Sequence, residues 1–358
     1  MGRRLRWGFS TGTAAAAAVK AALTAALGGG EPKRVEVTLP GQKRLSIPIH
    51  GVGRAGAGWE AWVVKDGGDD PDCTHGALVG AAVVPVHERR LSISAGPGVG
   101  TVTRPGLPVA VGQPAVNPVP RRMMGWAVDE VYQGLGRGPA GAQVEVMVQE
   151  GERLAQETLN PRLGIVGGLS ILGTTGLVRP FSHGAYRATI HTALKVARAA
   201  GLSQVVLTTG TTSDAAARSL LPRLPQVAFV QMADYVSFAL ERSARLGFRR
   251  ITVVCFFGKL VKMAQGMGHT HASAGELDLE RLARWVEAAT GHRGLAQAVA
   301  GANTGRGALE LLLPRHMKAV EEVARRALSR LRGWAGASAQ VGLILLDYRG
   351  NPLVRMEP

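Results

Sequence analysis

Two stretches decide the fold of the second half of this chain, Val205-Val-Leu-Thr-Thr-Gly210 and Ile251-Thr-Val-Val-Cys-Phe-Phe-Gly258. Each is a short apolar run that ends at a glycine, and a helical pattern follows each one. Continuous apolar runs of this length are typical of strands buried on both faces of a parallel sheet. The sequence therefore predicts strands at 205–209 and 251–256 in an α/β layer flanked by helices.

The same alternation continues through the rest of the second half. Ligands of such sheets bind beyond the carboxyl ends of the strands, which predicts a ligand site at this edge. The residues concerned are Gly210, Thr211, Thr212, Asp234 and Lys259. A capped turn with Ser213 as N-cap, and a solvated Lys259, are the structural alternatives. Two further strands are predicted at 227–230 and 341–346, and the second of these is expected to be the last strand of the chain. The predicted helices are 184–200, 214–221, 232–246, 278–290, 304–313 and 315–332.

The first half has a different pattern. An alanine-rich helix is predicted at 11–27, capped by Ser10, Thr11 or Thr13, and Gly28-Gly-Gly30 ends it. Short strands with glycine-rich turns follow, so the first half is predicted to be α+β. We place the domain boundary after residue 180, so that the two predicted domains are 1–180 and 181–358. The predicted strands are 34–39, 44–49, 59–64, 91–95 and 144–148, while 76–84 is either a helix or a buried strand.

A glycine-rich block at 160–180 contains the adjacent Thr174 and Thr175, followed by Arg179. Glycine allows close approach of the backbone to a ligand, and free N–H groups in such turns favour anions. A similar segment lies upstream at 98–122 and ends in Arg121 and Arg122 after a proline-rich turn. Together the two segments predict a rigid polar cradle for a large acidic small molecule. The segment 96–101 is not a dinucleotide-binding loop, because a proline follows where a helix is required.

The net charge of +16 comes from 42 basic and 26 acidic residues. Aromatic residues make up only 5%, and the basic residues are spread along the chain rather than concentrated in one element. Nucleic-acid modules usually cluster charge and interleave stacking aromatics, so a nucleic-acid partner is not expected. No apolar run approaches the roughly 20 residues that span a bilayer, so no membrane partner is expected either. The charge favours an acidic ligand.

Acidic residues and histidines are the candidates for proton transfer or for orienting other groups. Asp66, Asp69, Asp70 and Asp72 cluster before His75, and we expect them to pair with Arg121 and Arg122. Capping of a turn is the alternative for Asp72. His269 and His271 form a His-x-His pair without a third ligand, so no metal site is predicted. Cys73 and Cys255 are expected to be small buried residues rather than nucleophiles.

Arg3, Arg4 and Arg6 precede the alanine run, as basic residues do in a secretory signal. However, Ser10-Thr-Gly-Thr13 separates the two, and Lys20 interrupts the apolar stretch. We therefore expect a helix of the mature protein and a cytoplasmic location.

These motifs resemble the CbiD family of the anaerobic cobalamin pathway, and they follow the family's order over nearly the whole chain. The resemblance is carried by Ser10-Thr-Gly-Thr13, Asp69-Asp-Pro-Asp72 with Thr74-His75-Gly76, 98–111, Asn117-Pro-Val-Pro-Arg121, 160–180, and Gly258-Lys-Leu-Val-Lys262 before Thr270-His271.

The resemblance implies transfer of a methyl group from S-adenosylmethionine to ring carbon C-1 of a cobalt-bearing tetrapyrrole, cobalt-precorrin-5B, giving cobalt-precorrin-6A. It implies an α+β domain followed by a Rossmann-like domain that binds the donor, with cobalt present only in the substrate. We assign the donor to Gly210, Thr211, Thr212, Asp234 and Lys259. We assign the anionic tetrapyrrole to Thr11, Thr13, Arg121, Arg122, Thr174, Thr175 and Arg179, and proton transfer or orientation to Asp70, Asp72, His75 and His271.

A non-catalytic tetrapyrrole carrier or scaffold of the same pathway is the alternative function. It would use the same cradle without needing a methyl donor. Neighbouring pathway enzymes and a second copy of the chain are further candidate partners.

Overall fold

The computed structural model describes residues 5–358 of the chain. Internal contacts divide the chain into two compact units, Met1–Ser182 and His183–Pro358, and the predicted domain boundary lies next to this division. Arg3 and Arg4 lie outside the described residues. Within 5–358, no helix has both the length and the apolar character needed to cross a membrane.

The first unit is a mixed α/β structure of short strands around one long alanine-rich helix. Its strands are β1 (Gly8–Phe9), β2 (Arg34–Thr38), β3 (Arg44–Pro48), β4 (Gly51–Ala55), β5 (Gly58–Val64), β6 (Leu78–Val86), β7 (Leu91–Ala95), β8 (Gly98–Val99), β9 (Thr101–Val102), β10 (Gly141–Val148), β11 (Ile165–Val166), β12 (Gly168–Leu169) and β13 (Leu177–Val178). Its helices are α1 (Thr11–Ala26), α2 (Pro118–Gly134), α3 (Gly151–Ala155) and α4 (Asn160–Leu163).

Helix α1 forms the centre of the first core, and its prediction is confirmed. The helix begins after Ser10, whose hydroxyl accepts a hydrogen bond from the backbone amide of Thr13 at 3.2 Å. Serine is a favoured N-cap for this reason. The alanines at 14–18 are completely buried, and α1 packs against β5, β6 and α2. Alanine favours the helix and its short side chain lets these neighbours approach closely.

The main sheet of the first unit has the order β4-β5-β6-β10-β7. Neighbouring strands are antiparallel except for β10 and β7, which run parallel. The ambiguous segment 76–84 is a strand, because β6 pairs with both β5 and β10. Strand β4 was not predicted from the sequence.

Helix α2 corrects the prediction of a rigid turn before Arg121. Asn117 is the N-cap, and Pro118 occupies the first turn of the helix. Proline is well tolerated there, because the first helical N–H groups have no intrahelical partner and the fixed φ suits a helix. The two arginines at 121 and 122 therefore lie on a helix rather than after a turn.

The glycine-rich block and its upstream segment are paired with each other through their backbones. Strand β11 pairs with β9, and β12 pairs with β8. Where Gly168 meets Gly98, a Cβ added to Gly168 would lie 2.2 Å from the carbonyl oxygen of Gly98. A side chain cannot fit at that distance, so glycine is required here for contact between chain segments. At Gly98 and Gly168 the close approach is therefore to another chain segment, while the cradle for an acidic ligand stays a prediction.

The second unit is a five-stranded sheet with helices between its strands. Its strands are β14 (Gln204–Thr208), β15 (Phe229–Gln231), β16 (Arg250–Phe256), β17 (Gln340–Leu346) and β18 (Pro352–Met356). Its helices are α5 (His183–Ala199), α6 (Thr211–Leu220), α7 (Val236–Arg245), α8 (Phe257–Ala264), α9 (Leu279–Thr290), α10 (Arg293–Ala300), α11 (Gly305–Leu312) and α12 (Met317–Ala335), with short 3₁₀ helices at Gln226–Ala228 and Ala272–Ala274.

The strand order is β15-β14-β16-β17-β18, and all pairs are parallel except β17 with β18. The predicted strands and the predicted parallel layer are confirmed, except that the strand predicted at 227–230 begins only at Phe229, after a 3₁₀ helix. Two elements were missed: helix α10, and β18, which follows the strand at 341–346 that was expected to be the last. Ser213 is not the N-cap of α6, because the helix begins at Thr211 after Gly210. Its hydroxyl instead donates to the carbonyl oxygen of Gly210 at 3.0 Å.

Candidate functional site

A cavity of about 1010 Å³ lies in the second unit, at the carboxyl ends of β14 and β16. This is the edge of a parallel sheet at which ligands usually bind. Four of the five residues predicted for the ligand site line the cavity, namely Gly210, Thr211, Thr212 and Lys259. Asp234 is not a lining residue but contacts Lys259.

Three helices begin at the wall of the cavity. Gly210, Phe256 and Thr304 are the N-caps of α6, α8 and α11, and all three residues line the cavity. The first N–H groups of a helix have no intrahelical acceptor, and the helix dipole makes this end attractive to anions. Lys259 and Lys262 add two positive charges to the same wall. The cavity is therefore suited to carboxylate or phosphate groups.

Lys259 is fixed in place by an ion pair with Asp234. The same carboxylate oxygen accepts a hydrogen bond from the hydroxyl of the buried Thr270 at 2.7 Å. Burial by itself would raise the pKa of Asp234, but the bonds from Lys259 and Thr270 outweigh it and hold the pKa below the usual range. Asp234 is thus ionised at neutral pH and orients Lys259 rather than carrying a proton.

Lys262 lies one helical turn after Lys259 on α8. Its ammonium group donates to the carbonyl oxygens of Thr270 at 3.1 Å and Gly275 at 2.9 Å. Partial burial, followed by the charge of Lys259, lowers the pKa of Lys262. The two lysines therefore hold the 270–275 segment against the cavity.

An aromatic pair forms another part of the cavity wall. The rings of Phe256 and Tyr348 lie nearly parallel, at 4°, with their centroids 5.6 Å apart. The guanidinium of Arg306 lies over the Tyr348 ring, 4.9 Å from its centroid. Parallel offset rings provide a flat apolar surface that suits a heteroaromatic ring.

His269 and His271 do not form a metal site with other residues. No group of three or more His, Cys, Asp or Glu side chains from residues 5–358 is placed to hold a metal ion. The His271 ring nitrogen accepts a hydrogen bond from the Ser273 amide at 3.2 Å and so caps a 3₁₀ turn, while its side chain stays exposed. His269 packs beside Tyr235, with ring centroids 4.8 Å apart, and burial lowers its pKa.

The acidic cluster of the first unit pairs with residues close to it rather than with Arg121 and Arg122, which corrects that prediction. Asp66 forms an ion pair with Arg6, and Asp69 accepts a hydrogen bond from the Arg6 amide at 2.8 Å. Asp70 accepts one from the amide of Phe181 at 2.9 Å. The carboxylates hold the ends of this unit together.

Asp72 forms an ion pair of 2.5 Å with Lys65, whose side chain is only 2% exposed. It also accepts hydrogen bonds from the Thr74 amide at 2.8 Å and hydroxyl at 2.7 Å, as a turn cap does. Burial would raise the pKa of Asp72, but Lys65 and Thr74 more than compensate and lower it. His75 is exposed, and its Nδ1 accepts a hydrogen bond from the Gly67 amide at 3.0 Å. Asp70, Asp72 and His75 are thus neighbours in the first unit, while His271 lies in the second.

Three of the predicted substrate-binding side chains are engaged inside the first unit. The Thr11 hydroxyl accepts from the Leu172 amide at 3.0 Å, and the Thr13 hydroxyl donates to the carbonyl oxygen of Gly176 at 2.6 Å. Both threonines are buried. Arg121 is half-buried and donates to the Val116 carbonyl oxygen at 2.8 Å. The two threonines therefore anchor the glycine-rich block, whereas Arg121 holds the upstream segment. The predicted side chains left at the surface are Arg122, Thr174, Thr175 and Arg179.

Comparison with known proteins identifies the family. A family model described as CbiD matches residues 1–180, and one described as CbiD, C-terminal domain, matches residues 269–357. This chain belongs to the CbiD family. The resemblance stated from the motifs is confirmed.

Members of the CbiD family from other organisms are similar over most of their length. A protein of Nitratidesulfovibrio vulgaris named cobalt-precorrin-5B C(1)-methyltransferase is 46% identical over 98% of this chain and 92% of its own. A protein of the same name from Salinispora tropica is 44% identical, covering 97% of this chain and 91% of its own. A crystal structure of a cobalamin biosynthesis protein (cbiD) from Archaeoglobus fulgidus has 27% identity and a TM-score of 0.40, covering 74% of this chain and 81% of its own.

Sequence reasoning on this CbiD-family chain missed several residues at the cavity and on the first unit. Lys262 carried a usable signal, because its spacing from Lys259 places both on one face of a helix. Tyr348 and Thr304 come from distant parts of the chain, and no local pattern places them beside Gly210. Trp7 and Phe181 of the first unit carried no site prediction, because neither belongs to a motif that indicates chemistry.

The two cysteines differ in burial, and we predict a difference in reactivity. Complete burial raises the pKa of Cys255 to about 12, whereas Cys73 is half-buried and its pKa is raised by burial and then by Asp72. Because the thiolate is the reactive form, alkylation of native protein by iodoacetamide at pH 8 should be at least about 1000-fold slower at Cys255 than at a free cysteine. Peptide mass spectrometry measures both sites, and guanidinium-unfolded protein is the control. Rapid native labelling of Cys255 would contradict this prediction.

Proposed function

We propose that this chain is an S-adenosylmethionine-dependent C-methyltransferase that converts cobalt-precorrin-5B to cobalt-precorrin-6A by methylating ring carbon C-1. The observation that carries the proposal is 46% identity over 98% of the chain to a relative that bears the corresponding name. The cavity of the second unit supports the proposal, because its wall offers groups for both ends of the donor.

We place the donor in this cavity and regard the second unit as Rossmann-like. The helix N-termini at Gly210 and Thr304, together with Lys259, suit the donor's carboxylate and ribose. Phe256 and Tyr348 suit its adenine ring. At about 1010 Å³ the cavity lies near the upper end of the range of about 300–1,000 Å³ for small-molecule sites, so it has room for the donor and for part of an acceptor.

We place the carboxylates of the tetrapyrrole against exposed groups of the first unit, Arg122, Thr174, Thr175 and Arg179. Arginine matches carboxylates with two parallel hydrogen bonds. Thr11, Thr13 and Arg121 act on this surface indirectly, because their hydrogen bonds fix the backbone that carries it.

When bound, S-adenosylmethionine supplies an electrophilic methyl group. An electron-rich ring carbon would take this methyl group from the sulfonium and leave a neutral thioether, so no residue of the chain would have to form a covalent intermediate. The contribution of the chain is to position the reactants, exclude water and provide a fixed electrostatic environment. Asp234 keeps Lys259 oriented for this purpose. Asp72, being ionised and paired with Lys65, serves orientation rather than proton transfer, whereas Asp70, His75 and His271 are the proton-transfer candidates.

The test is incubation of purified protein with cobalt-precorrin-5B and S-adenosylmethionine. We expect a product heavier by one methyl group, and a correspondingly heavier one when the donor methyl is deuterated. Calorimetry should detect donor binding without substrate. Tight tetrapyrrole binding with neither donor binding nor methylated product would contradict the proposal and support the carrier function.

A further inference from the structure

Two large aromatic side chains of the first unit are exposed next to a pair of hydrogen-bonded strands. Trp7 is 53% exposed and Phe181 is 65% exposed. Trp7 directly precedes β1 and Phe181 follows β13, and these two strands pair through Gly8 and Val178. The guanidinium of Arg179 lies over the Trp7 ring, 5.8 Å from its centroid. We call Trp7, Arg179 and Phe181 the aromatic edge.

The backbone holds Phe181 in a conformation that a bulky residue rarely adopts. Its φ is +53°, in the left-handed region, where a side chain other than glycine is strained. Asp70 accepts the hydrogen bond from the Phe181 amide at 2.9 Å, and the preceding Pro180 is buried. The strained backbone displays the ring to solvent, so burial of the ring does not repay the strain. Strain that local structure maintains in this way often marks a binding site.

The charges around the aromatic edge favour a compact anionic ligand over an extended polyanionic surface. Arg179 forms no ion pair with any described residue, so its guanidinium is available to a ligand carboxylate. Close by, Trp7 forms a bridge with Gly68, and the carboxylates of Asp66 and Asp69 lie on the same loop. A nucleic acid or an anionic bilayer would bring negative charge against that whole loop. A compact ring can lay its apolar face on the aromatic side chains, so that its carboxylates stay at the rim, where Arg179 can bind one of them.

We propose that the aromatic edge is a stacking surface for the flat face of a carboxylated macrocycle, with Arg179 binding a carboxylate at the macrocycle rim. Trp7 and Phe181 provide apolar area, and the turn at Phe181, held by the hydrogen bond to Asp70, makes its ring project from the surface. Asp70 is a positioning residue for this surface. The inference rests on the proposed function, since it assigns a binding surface to the same tetrapyrrole substrate.

The test uses uroporphyrin, a planar ring with carboxylates on its rim, as a spectroscopic probe of binding to full-length protein. Trp7→Ala and Phe181→Gly should each weaken binding about tenfold, the scale for loss of one stacking ring. Both should raise KM for cobalt-precorrin-5B with little change in kcat. Phe181→Gly suits the left-handed backbone, so it removes the ring without a folding cost. Trp7→Phe should restore most of the affinity.

Leu135→Ala is the matched control. Leu135 is also exposed but lies beside Gly29, past the other end of α1, about 24 Å from Trp7 by the length of that helix. It should leave uroporphyrin binding and KM unchanged. Melting temperatures no lower than that of the wild type would exclude a loss of fold.

The outcomes separate this inference from the proposed function. Methylation by every variant with unchanged KM and unchanged uroporphyrin affinity would overturn the aromatic edge and leave the proposed function standing. Weakened uroporphyrin binding by the variants, with no methylation by the wild type, would support the surface and overturn the proposed function. If the substitutions instead reduced only binding to phosphatidylglycerol vesicles, or only self-association in sedimentation, the surface would serve a membrane or a second copy and the inference would be wrong.

Discussion

Replacing Lys259 by methionine is expected to lower kcat/KM for methyl transfer by about 10- to 100-fold, because a charge-assisted hydrogen bond contributes about 1.5–3 kcal/mol and each 1.36 kcal/mol is a factor of ten. Methionine keeps an unbranched apolar stem of nearly the same length and removes the ammonium group, with its charge and its hydrogen-bond donors. The loss should appear in donor affinity measured by calorimetry, since Lys259 lines the cavity of the second unit. Steady-state kinetics with cobalt-precorrin-5B gives the second readout.

Two variants control this result. Lys195→Met removes an exposed charge from α5 and should change neither donor affinity nor kcat/KM. Asp234→Asn leaves Lys259 in place but weakens the pair that orients it, so it should give a smaller loss in the same direction. Unchanged donor affinity in Lys259→Met would place the donor elsewhere.

Replacing Gly98 by alanine should destabilise the first unit by about 2–5 kcal/mol, from left-handed strain of about 1–2 kcal/mol and overpacking of about 1–3 kcal/mol. The φ of Gly98 is +76°, and an added Cβ would lie 2.0 Å from the carbonyl oxygen of Val148. Neither backbone can yield without disrupting β8 or β10. Chemical denaturation followed by circular dichroism measures the change in the free energy of unfolding.

Gly112→Ala separates the two causes of this loss. Gly112 has a similar φ of +83°, but no atom lies within 4 Å of an added Cβ. It should therefore show only the conformational cost of about 1–2 kcal/mol. Equal destabilisation by both substitutions would show that the added methyl group at position 98 costs nothing through crowding. That result would contradict the close packing of Gly98 against β10.

The second unit was the more predictable half of the chain. Parallel strands such as β14 and β16 are buried on both faces, so each appears in the sequence as an unbroken apolar run, and its end marks the ligand edge. The residues immediately after these runs, Gly210 and Lys259, could therefore be placed at one cavity. Tyr348 could not, because its position depends on how β17 and β18 turn, which no local pattern encodes.

The first unit was harder to predict because its prolines and glycines are each compatible with two different local structures. Pro118 and Pro120 indicate a turn, but they are equally compatible with the first turn of a helix, and the buried face of α2 at Met123 and Val131 shows which applies. A crowded glycine such as Gly168 indicates close approach without indicating the partner. Here the partner is the backbone at Gly98, a long-range pairing that composition cannot reveal.

Pairing of β1 with β13 has a consequence for synthesis on the ribosome. Gly8 cannot pair until Val178 has been synthesised, about 170 residues later. At a translation rate of about 5–20 residues per second, the first strand therefore stays unpaired for roughly 9–34 s. During that interval the hydrogen bonds from the start of α1 to Leu172 and Gly176 cannot form either. A chain released before residue 178 therefore keeps the partners of α1 in β5, β6 and α2 but lacks the β1–β13 pair.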